Sequence, residues 1–387
     1  MVAGQDLKKV PDTPAEMAEM LRRASEQKLS VVLRGAGTKL DWGRSPQRVD
    51  ATLSTRGLHR LIAHQHGDLT ATIEAGVSLR DVNVALSLHK QWLPLDPPFA
   101  ADATIGGILA TNDSGPLRHR YGTPRDLVIG TEVATADGVL AKSGGQVVKN
   151  VAGYDLSKLL AGSFGSLAAI VSATFKLSPL PAASRTLVAA ARDAEELARL
   201  VRDVMASQLE PIAFEVHVPS FALLLRFASV PAAVDAQARA AEMMLGAAKL
   251  VDGDAERALW SEHNERVWMG AGAIVRASWL PANIATAIGE LKACAATAGV
   301  IEIEMLGRAA VGAGLIRIEG DPKAQARAIE QLRRSASFGN VVLRRGSAEL
   351  KALVDVWDGH ADRQPLFASL KRAFDPQGIL SAGRGPL

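Results

Sequence analysis

The spacing of hydrophobic residues predicts alternating helices and strands through the first 180 residues. Helical spacing covers residues 14–27 and 78–88, with Pro14 in the first turn of the earlier segment. Short β-type runs occupy residues 29–33, 69–74, 127–134 and 167–177. Asp137-Gly138 marks a hairpin turn after the third run. Because Pro179-Leu180-Pro181 ends the last run, we predict a first domain over residues 1–180.

The remainder of the chain repeats one order of elements twice, which predicts a second domain over residues 181–366. Each copy reads βαββαβ, the ferredoxin-like order in which two helices cover one face of a sheet. The first copy comprises segments 186–191, 194–207, 212–218, 221–227, 232–245 and 249–251. The second copy comprises segments 272–280, 283–298, 300–306, 314–319, 322–335 and 340–345. We predict that the copies pair into one broad sheet in an α+β chain, followed by a tail over residues 367–387.

Composition agrees with two globular domains and argues against a nucleic-acid partner. The chain has 387 residues, too many for one ordinary core, and 48% of them are hydrophobic against 22% charged. Lys and Arg number 44 against 41 Asp and Glu, and the basic residues are dispersed. A net charge of +3 spread in this way is typical of a solvated surface, so no nucleic-acid binding is expected.

The single cysteine and the lack of a long apolar segment predict a cytoplasmic protein. Cys294 cannot close an internal disulfide or hold an iron–sulfur cluster alone, and its apolar helical surroundings predict a packed core thiol. No run approaches 18 apolar residues, and no signal peptide is visible behind the N-terminal lysines. Any membrane contact is expected to be peripheral, through a partner.

A glycine-rich hexapeptide after the first strand is the first candidate for chemistry. Two glycines let the backbone curl so that successive N–H groups point at one anion, and a pyrophosphate suits such a nest. Taken alone, the hexapeptide is better explained by a plain tight turn, because Leu40 stands where a dinucleotide fingerprint requires a third glycine. The hexapeptide is Arg34-Gly35-Ala36-Gly37-Thr38-Lys39.

A second glycine pair, Gly106-Gly107, lies among small and hydroxyl residues. Paired glycines let a flat ligand approach the backbone, and hydroxyls can donate to phosphate or ring oxygens. The alternative is a helix start capped by Thr104. The polar and small residues around the pair are Thr104, Thr111, Asn112, Ser114 and Gly115.

A third motif follows as Gly153-Tyr154-Asp155-Leu156 and Gly162-Ser163-Phe164-Gly165-Ser166-Leu167. Ser163 misses a nucleophile elbow because Ala161 occupies the position of the first glycine, which disfavours a hydrolase.

In combination, the order and spacing of these motifs resemble the PCMH-type FAD-binding domain of the vanillyl-alcohol oxidase superfamily, over about residues 5–180. Four longer sequence segments resemble the FAD-binding E subunit family of glycolate oxidase. These segments are LRGAGTKLDWG (33–43), ATIGGILATNDSGPLRHRYGTPRDLVIG (103–130), KNVAGYDLSKLLAGSFGSLAAI (149–170) and FDPQGILSAGR (374–384).

The resemblance implies a fold, a cofactor and a role for each motif. Two α/β subdomains would clasp FAD, the second domain would cap it, and the tail would return toward the flavin. Residues 35–38, between Arg34 and Lys39, would surround the pyrophosphate. Thr104, Gly106 and Gly107 would follow the phosphate–ribityl stretch. Thr111, Asn112, Ser114 and Gly115 would lie near the flavin, and Ile170 would offer its backbone to the adenine.

The resemblance also implies an activity and partners. Such a chain would oxidise a 2-hydroxy acid, glycolate or D-lactate, to the 2-oxo acid beside a second FAD-binding subunit and an iron–sulfur subunit. A self-sufficient FAD-dependent dehydrogenase acting on a hydroxy acid or sugar is one alternative. A non-catalytic, flavin-carrying structural subunit is another.

Several departures from the family pattern shape these expectations. Thr38 stands where covalent members carry a histidine, so noncovalent FAD is expected. Ser381 replaces an asparagine that approaches the flavin, which puts that contact in doubt. The second-domain histidines His217, His263 and His360 are widely spaced, so no metal site is expected and no catalytic base can be named.

Two sets of large side chains in the second domain are expected to be structural. Arg276, Arg308 and Arg317 lie on predicted strands and are expected at the surface rather than in a carboxylate clamp. Trp260, Trp268 and Trp279 are expected to fill the core.

Overall fold

The computed structural model describes residues 10–145, 155–359 and 361–386, and these residues form two compact units. The first unit contains residues 10–114, 122–145, 155–180 and the tail 361–386. The second unit contains Gly115–Tyr121 and Pro181–Gly359. Two sequence candidates, Gly153-Tyr154 and His360, lie outside the described residues. Helices and strands alternate in both units, which confirms the predicted α+β class.

The elements up to residue 180 are, in chain order, α1 (Pro14–Glu26), β1 (Val31–Arg34), β2 (Ala51–Ser54), β3 (Leu61–Gln65), β4 (Thr70–Glu74), α2 (Leu79–Ser87), β5 (Gln91–Trp92), α3 (Ile105–Thr111), α4 (Arg118–Tyr121), α5 (Pro124–Leu127), β6 (Val128–Ala134), β7 (Leu140–Gly144), α6 (Leu156–Leu160), β8 (Ala169–Lys176) and β9 (Ser178–Pro179).

The first unit is built on two sheets that carry separate clusters of buried residues. The antiparallel sheet has the order β3-β4-β8-β6-β7, and its apolar cluster includes residues of α2 and α3. The parallel pair β1-β2 lies beside α1, whose Met17 and Leu21 pack with Val31 and Leu53. Thr13 caps α1 by accepting a hydrogen bond from the Glu16 amide. The two helices and four strands predicted in this part are therefore present within a few residues.

Local chemistry explains one shifted boundary in the first unit. The predicted strand at 127–134 begins one residue later, because Pro124–Leu127 forms a helical turn. Thr123 and Asp126 form a capping box at its start. The predicted hairpin turn after β6 is confirmed, with Gly138 at φ +82° and its amide bonded to the Thr135 carbonyl.

The elements from residue 181 onward are β10 (Ala183–Ala190), α7 (Ala194–Met205), β11 (Ala213–Val218), β12 (Ala222–Ser229), α8 (Pro231–Leu245), β13 (Ala248–Val251), α9 (Gly253–Met269), β14 (Ala273–Ser278), α10 (Ile284–Ala298), β15 (Glu302–Arg308), β16 (Ala313–Glu319), α11 (Pro322–Arg334), β17 (Gly339–Arg345), α12 (Ala348–Leu353) and α13 (Gln364–Phe374), with 3₁₀ turns at Pro281–Asn283 and Ala361–Arg363.

The second unit confirms the predicted duplicated ferredoxin-like sheet. Its eight strands run in the order β13-β10-β12-β11-β15-β16-β14-β17, so the two copies meet along β11 and β15. Within each copy the strands take the spatial order fourth, first, third, second. Residues of α7, α8, α10 and α11 share the main apolar cluster with inward-facing strand residues. Cys294 is buried in that cluster, as predicted.

Helix α9 was not predicted, and the face that it covers explains why. Its buried residues are Glu256, Trp260, His263, Val267 and Trp268, so polar and apolar side chains share its inner side. The helix therefore lacks the apolar stripe on which a sequence-based assignment depends. Trp260, Trp268 and Trp279 are all buried, as expected.

Candidate functional site

The glycine-rich turn after β1 has a backbone that only glycine suits. Gly37 has φ +85°, a region that side-chain-bearing residues rarely adopt. A Cβ placed on Gly35 would lie 2.0 Å from Thr104 Oγ1. The turn therefore needs glycine at position 37 for its backbone conformation, and at position 35 for the close approach of Thr104.

The backbone N–H groups of the same turn are available to a ligand. Those of Ala36, Gly37 and Thr38 donate to no other residue that the structure describes. Consecutive N–H groups without internal acceptors form a concave site for an anion. This geometry favours the nest interpretation of the hexapeptide over a plain turn.

The start of α3 forms a second wall beside the turn. Thr104 stands at the N-cap position, but its side chain makes no capping hydrogen bond. Its Oγ1 instead faces the space that a side chain on Gly35 would fill. A Cβ on Gly106 would lie 2.8 Å from the Ala75 Cβ, so this glycine allows the helix to approach β4 closely. The capping explanation of Thr104 is therefore wrong.

These walls line an open pocket within the first unit. Eleven of the fourteen residues expected to contact the cofactor line it. They are Arg34, Gly35, Ala36, Gly37, Thr38, Lys39, Thr104, Gly106, Gly107, Thr111 and Ile170.

The other three expected residues do not line this pocket. Asn112 ends α3 in a left-handed conformation, and its Oδ1 accepts a hydrogen bond from the Arg125 amide. Ser114 is absent from the lining, and Gly115 belongs to the second unit. Thr111 does line the pocket, although its hydroxyl donates to the Gly107 carbonyl at 2.8 Å.

Sequence reasoning missed eight lining residues: Leu33, Leu40, Thr55, Ala110, Phe164, Gly165, Ala168 and Arg384. Phe164 and Gly165 lie inside the third motif, so the signal for them was already in the sequence. Arg384 lies far along the chain, and only the return of the tail brings it to the pocket.

Cationic side chains surround the turn. Lys39 is buried, with its Nζ 5.6 Å from the centre of the Trp42 ring. The Arg34 guanidinium lies over Gly37, with Nε 3.0 Å from the position that a Cβ there would take. Arg384 is buried, and burial lowers its pKa from the ordinary arginine value. Three cations beside free N–H groups fit the two negative charges of a diphosphate.

The tail contributes a buried hydroxyl group near the pocket. Ser381 Oγ is buried and has no hydrogen-bond partner among the described residues. It lies 3.7 Å from the position of a Cβ on the pocket residue Gly165. Ser381 is the tail residue that replaces the asparagine of the family pattern.

The second unit holds buried charges on the sheet face that α9 covers. The Glu215 carboxylate is fully buried and contacts His263 Nε2 at 3.2 Å and Arg308 Nε at 3.5 Å. Arg308 also donates to the Gly115 carbonyl. The expected surface positions of Arg308 and Arg317 are wrong, because both side chains are largely buried among carboxylates.

Glu304 is the centre of a second buried group. It accepts hydrogen bonds from His217 at 2.8 Å, Arg266 at 2.7 Å and Arg317 at 3.1 Å. Burial alone would raise the pKa of Glu304, but these donors outweigh burial and lower it to about 2. The carboxylate is therefore ionised at neutral pH.

His119 is a further titratable residue of the second unit that sequence reasoning overlooked. Its ring packs edge-on against Phe214, with the centroids 5.9 Å apart, and its Nδ1 is buried without a hydrogen-bond partner in the described chain. Burial lowers the pKa of His119, although the nearby Glu215 carboxylate acts in the opposite direction. No feature of the sequence motif at residues 103–130 singled out His119 as a functional residue.

Two further features concern residues 10–145, 155–359 and 361–386, which the structure describes. No group of three or more His, Cys, Asp or Glu side chains there could hold a metal ion. No helix in these ranges is long and apolar enough to cross a membrane.

Comparison with known proteins identifies the ligand of the first unit. Residues 7–144 match the family model of an FAD binding domain. A solved structure of alkyldihydroxyacetonephosphate synthase superimposes over 96% of this chain and 75% of that chain, with a TM-score of 0.70 and 16% identity. At this identity the likeness concerns the fold alone. The predicted fold, a PCMH-type FAD-binding domain followed by a duplicated second domain, is confirmed, and FAD is the cofactor.

Curated relatives include proteins named as glycolate oxidase subunits and as D-lactate dehydrogenases. Glycolate oxidase subunit GlcD of Bacillus subtilis is 32% identical over 229 residues, 59% of this chain and 49% of that protein. Glycolate oxidase subunit GlcE of Escherichia coli is 33% identical over 202 residues, 52% of this chain and 56% of that protein. D-lactate dehydrogenase of Archaeoglobus fulgidus is 37% identical over 169 residues, 44% of this chain and 38% of that protein. The chain thus spans about half the length of the curated relatives it matches.

Proposed function

We propose that this chain is an FAD-dependent oxidoreductase that oxidises a small 2-hydroxy acid, glycolate or D-lactate, to the 2-oxo acid. We further propose that it acts as the FAD-binding subunit of a glycolate oxidase-type complex, beside a second FAD-binding subunit and an iron–sulfur subunit. The observation that carries the proposal is the pocket around the glycine turn, where free N–H groups and cations lie within a matched FAD binding domain. The names of the relatives support the substrate class.

The positions of several pocket residues support a role for them in holding the cofactor. The N–H groups of residues 36–38 would donate to the diphosphate, and Lys39 would add positive charge. Gly106 and Gly107 would let the ligand lie against the start of α3. When bound, FAD supplies a hydride acceptor, while the protein orients it and excludes water.

The cofactor is proposed to be held without a covalent bond. Thr38 lines the pocket at the position where covalent relatives carry histidine, and a hydroxyl cannot form the histidyl link. The only thiol, Cys294, is buried in the core of the second unit. Acid precipitation of the loaded chain should therefore release all flavin into the supernatant. Flavin fluorescence that stays with the polypeptide on a denaturing gel would contradict this.

A self-sufficient 2-hydroxy-acid dehydrogenase is the second candidate. Oxidation of a hydroxyl needs a group that accepts its proton, and the sequence offered none. The structure contains His119, which lies near the buried Glu215. Burial lowers the pKa of His119, and a lower pKa favours the neutral imidazole, the form that can accept a proton. His119 favours the second candidate more than the sequence did.

One experiment separates the candidates. The full chain is loaded with FAD and mixed with glycolate or D-lactate and an artificial electron acceptor, with and without the co-purified partner subunits. The subunit proposal expects FAD binding by the chain alone and substantial turnover only with partners. Robust turnover by the isolated chain, abolished by His119→Ala, would establish the self-sufficient enzyme. Turnover of the complete complex that is unchanged when this chain lacks FAD would indicate a structural role.

A further inference from the structure

The tail is anchored to the first unit immediately before it reaches the FAD pocket. Val31 donates its amide to the Ile379 carbonyl at 2.7 Å, and its carbonyl accepts the Ser381 amide at 2.8 Å. Asp375 accepts the amides of Ile379 and Leu380 and pairs with Lys371 at 2.6 Å. The tail is therefore held against β1, the strand that leads into the glycine turn.

Beyond this anchor, hydrogen bonds join the tail to the segment that follows the glycine turn. Arg384 Nε donates to the Trp42 carbonyl at 3.2 Å, and its Nη2 donates to the Lys39 carbonyl at 2.5 Å. In the other direction, the Arg44 amide donates to the Arg384 carbonyl and the Gln47 amide to the Ala382 carbonyl. The Arg384 guanidinium thus bridges the Lys39 and Trp42 carbonyls, in the backbone segment that begins directly after Thr38.

The same guanidinium places a buried charge at the pocket wall. Arg384 is 6% exposed, lies 5.9 Å from the centre of the Phe164 ring and lines the pocket. Its Nε and Nη2 donate to two neutral carbonyls, and the Asp41 carboxylate raises its pKa against the effect of burial. A cation fixed at this wall also attracts an anion bound in the adjoining nest, such as a diphosphate.

We propose that Arg384 is a positioning residue for the diphosphate of the cofactor. It holds the backbone after the nest by its two carbonyl bonds and supplies positive charge from the side of the tail. The proposal rests on the FAD pocket of the first unit and extends it to a residue outside the matched domain. It does not depend on the substrate or on the partner subunits.

The test measures binding by the apo full-length chain. Arg384→Met and Arg384→Lys are compared with wild type for the dissociation constants of FAD and of ADP, which carries the diphosphate without the flavin. Loss of a charge-assisted contact predicts at least roughly tenfold weaker binding of both ligands to Arg384→Met. Lys keeps the charge but cannot span both carbonyls, so its affinities should fall between the two. The ionic-strength dependence of ADP binding should also become shallower in Arg384→Met.

The matched control is Arg372→Met, which removes an exposed arginine of α13 in the same unit and should leave both affinities unchanged. Wild-type affinity of Arg384→Met for FAD would overturn the proposal. So would weaker FAD binding with unchanged ADP binding, because Arg384 would then serve the flavin. If Arg384→Met fails to fold, Arg384→Lys decides: weaker ADP binding with unchanged apo melting supports the proposal, and unchanged ADP binding overturns it. Absence of FAD binding by wild type would contradict the cofactor site itself.

Discussion

At the scale of the residue, Gly37 is the most demanding position of the pocket. Its φ of +85° penalises any side chain, and Arg34 Nε would lie 3.0 Å from a Cβ there. Aspartate would also bring a negative charge beside the proposed diphosphate. We therefore predict that Gly37→Asp binds FAD at least roughly a hundredfold more weakly while keeping its fold, as measured by fluorescence titration and circular dichroism.

Gly253→Asp is a suitable control for this prediction. Gly253 also has a positive φ, +57°, and no atom lies within 4 Å of a Cβ placed on it. The control introduces the same side chain and a related backbone strain away from the pocket. Equal FAD affinity in both variants would show that the turn at 35–38 does not contact the cofactor.

Among the elements, strand β15 carries the buried carboxylate of Glu304, which stabilises the fold only when it is ionised. Glu304 has a pKa of about 2, below its ordinary 4.5. Its contribution to stability is therefore complete above about pH 4.5 and is lost as the pH falls toward 2. A shift of this size corresponds to a free energy on the order of 3 kcal/mol.

Glu304→Gln should accordingly lower the free energy of unfolding at pH 7, because it gives the largely buried Arg317 a neutral partner in place of this carboxylate. The difference from wild type should shrink as the pH falls from 4.5 toward 2, as measured by urea denaturation at several pH values. Glu302→Gln, on the same strand and paired with the same Arg317 but half exposed, should change little. A Glu304→Gln deficit that is constant with pH would show that packing, not charge, is responsible.

Helix α9 shows why the elements of the second unit were predicted unevenly. Helices on the apolar face of the eight-stranded sheet, such as α7 and α11, have clear apolar stripes and were predicted. Helix α9 covers the face that carries Glu215 and Glu304, so its inner side includes Glu256 and His263. The Trp260 indole donates to Thr186 Oγ1, a polar contact between helix and sheet.

In the complete molecule, the FAD pocket gathers five segments that are distant in sequence, around residues 33–40, 55, 104–111, 164–170 and 384. Hydrogen exchange measured by mass spectrometry should therefore show protection on FAD addition in residues 31–40, 104–111, 164–170 and 379–384. Residues 273–278 and 313–319, in strands of the second unit, should exchange unchanged and provide an internal control. Protection that omits the tail segment would contradict the assignment of Arg384 to the pocket wall.

Local sequence patterns were sufficient to predict the order of most elements and the position of the glycine turn. These are local properties: hydrophobic spacing reports which face of a segment is buried, and Gly35 and Gly37 report a backbone that other residues disfavour. The duplicated βαββαβ order likewise predicted the broad sheet, because it is a repeated local pattern. Eleven lining residues of the pocket followed from the motifs and from the family resemblance.

Contacts between residues that are distant in sequence became evident only from the three-dimensional fold. Arg384 contacts the Lys39 carbonyl across 345 positions, and no spacing rule reports such a contact. Gly115 belongs to the second unit although its motif lies within the predicted first domain. The buried groups around Glu215 and Glu304 arise where two copies of a repeat join. Pairing between separate segments depends on the packing of the complete chain, whereas periodicity within one segment does not.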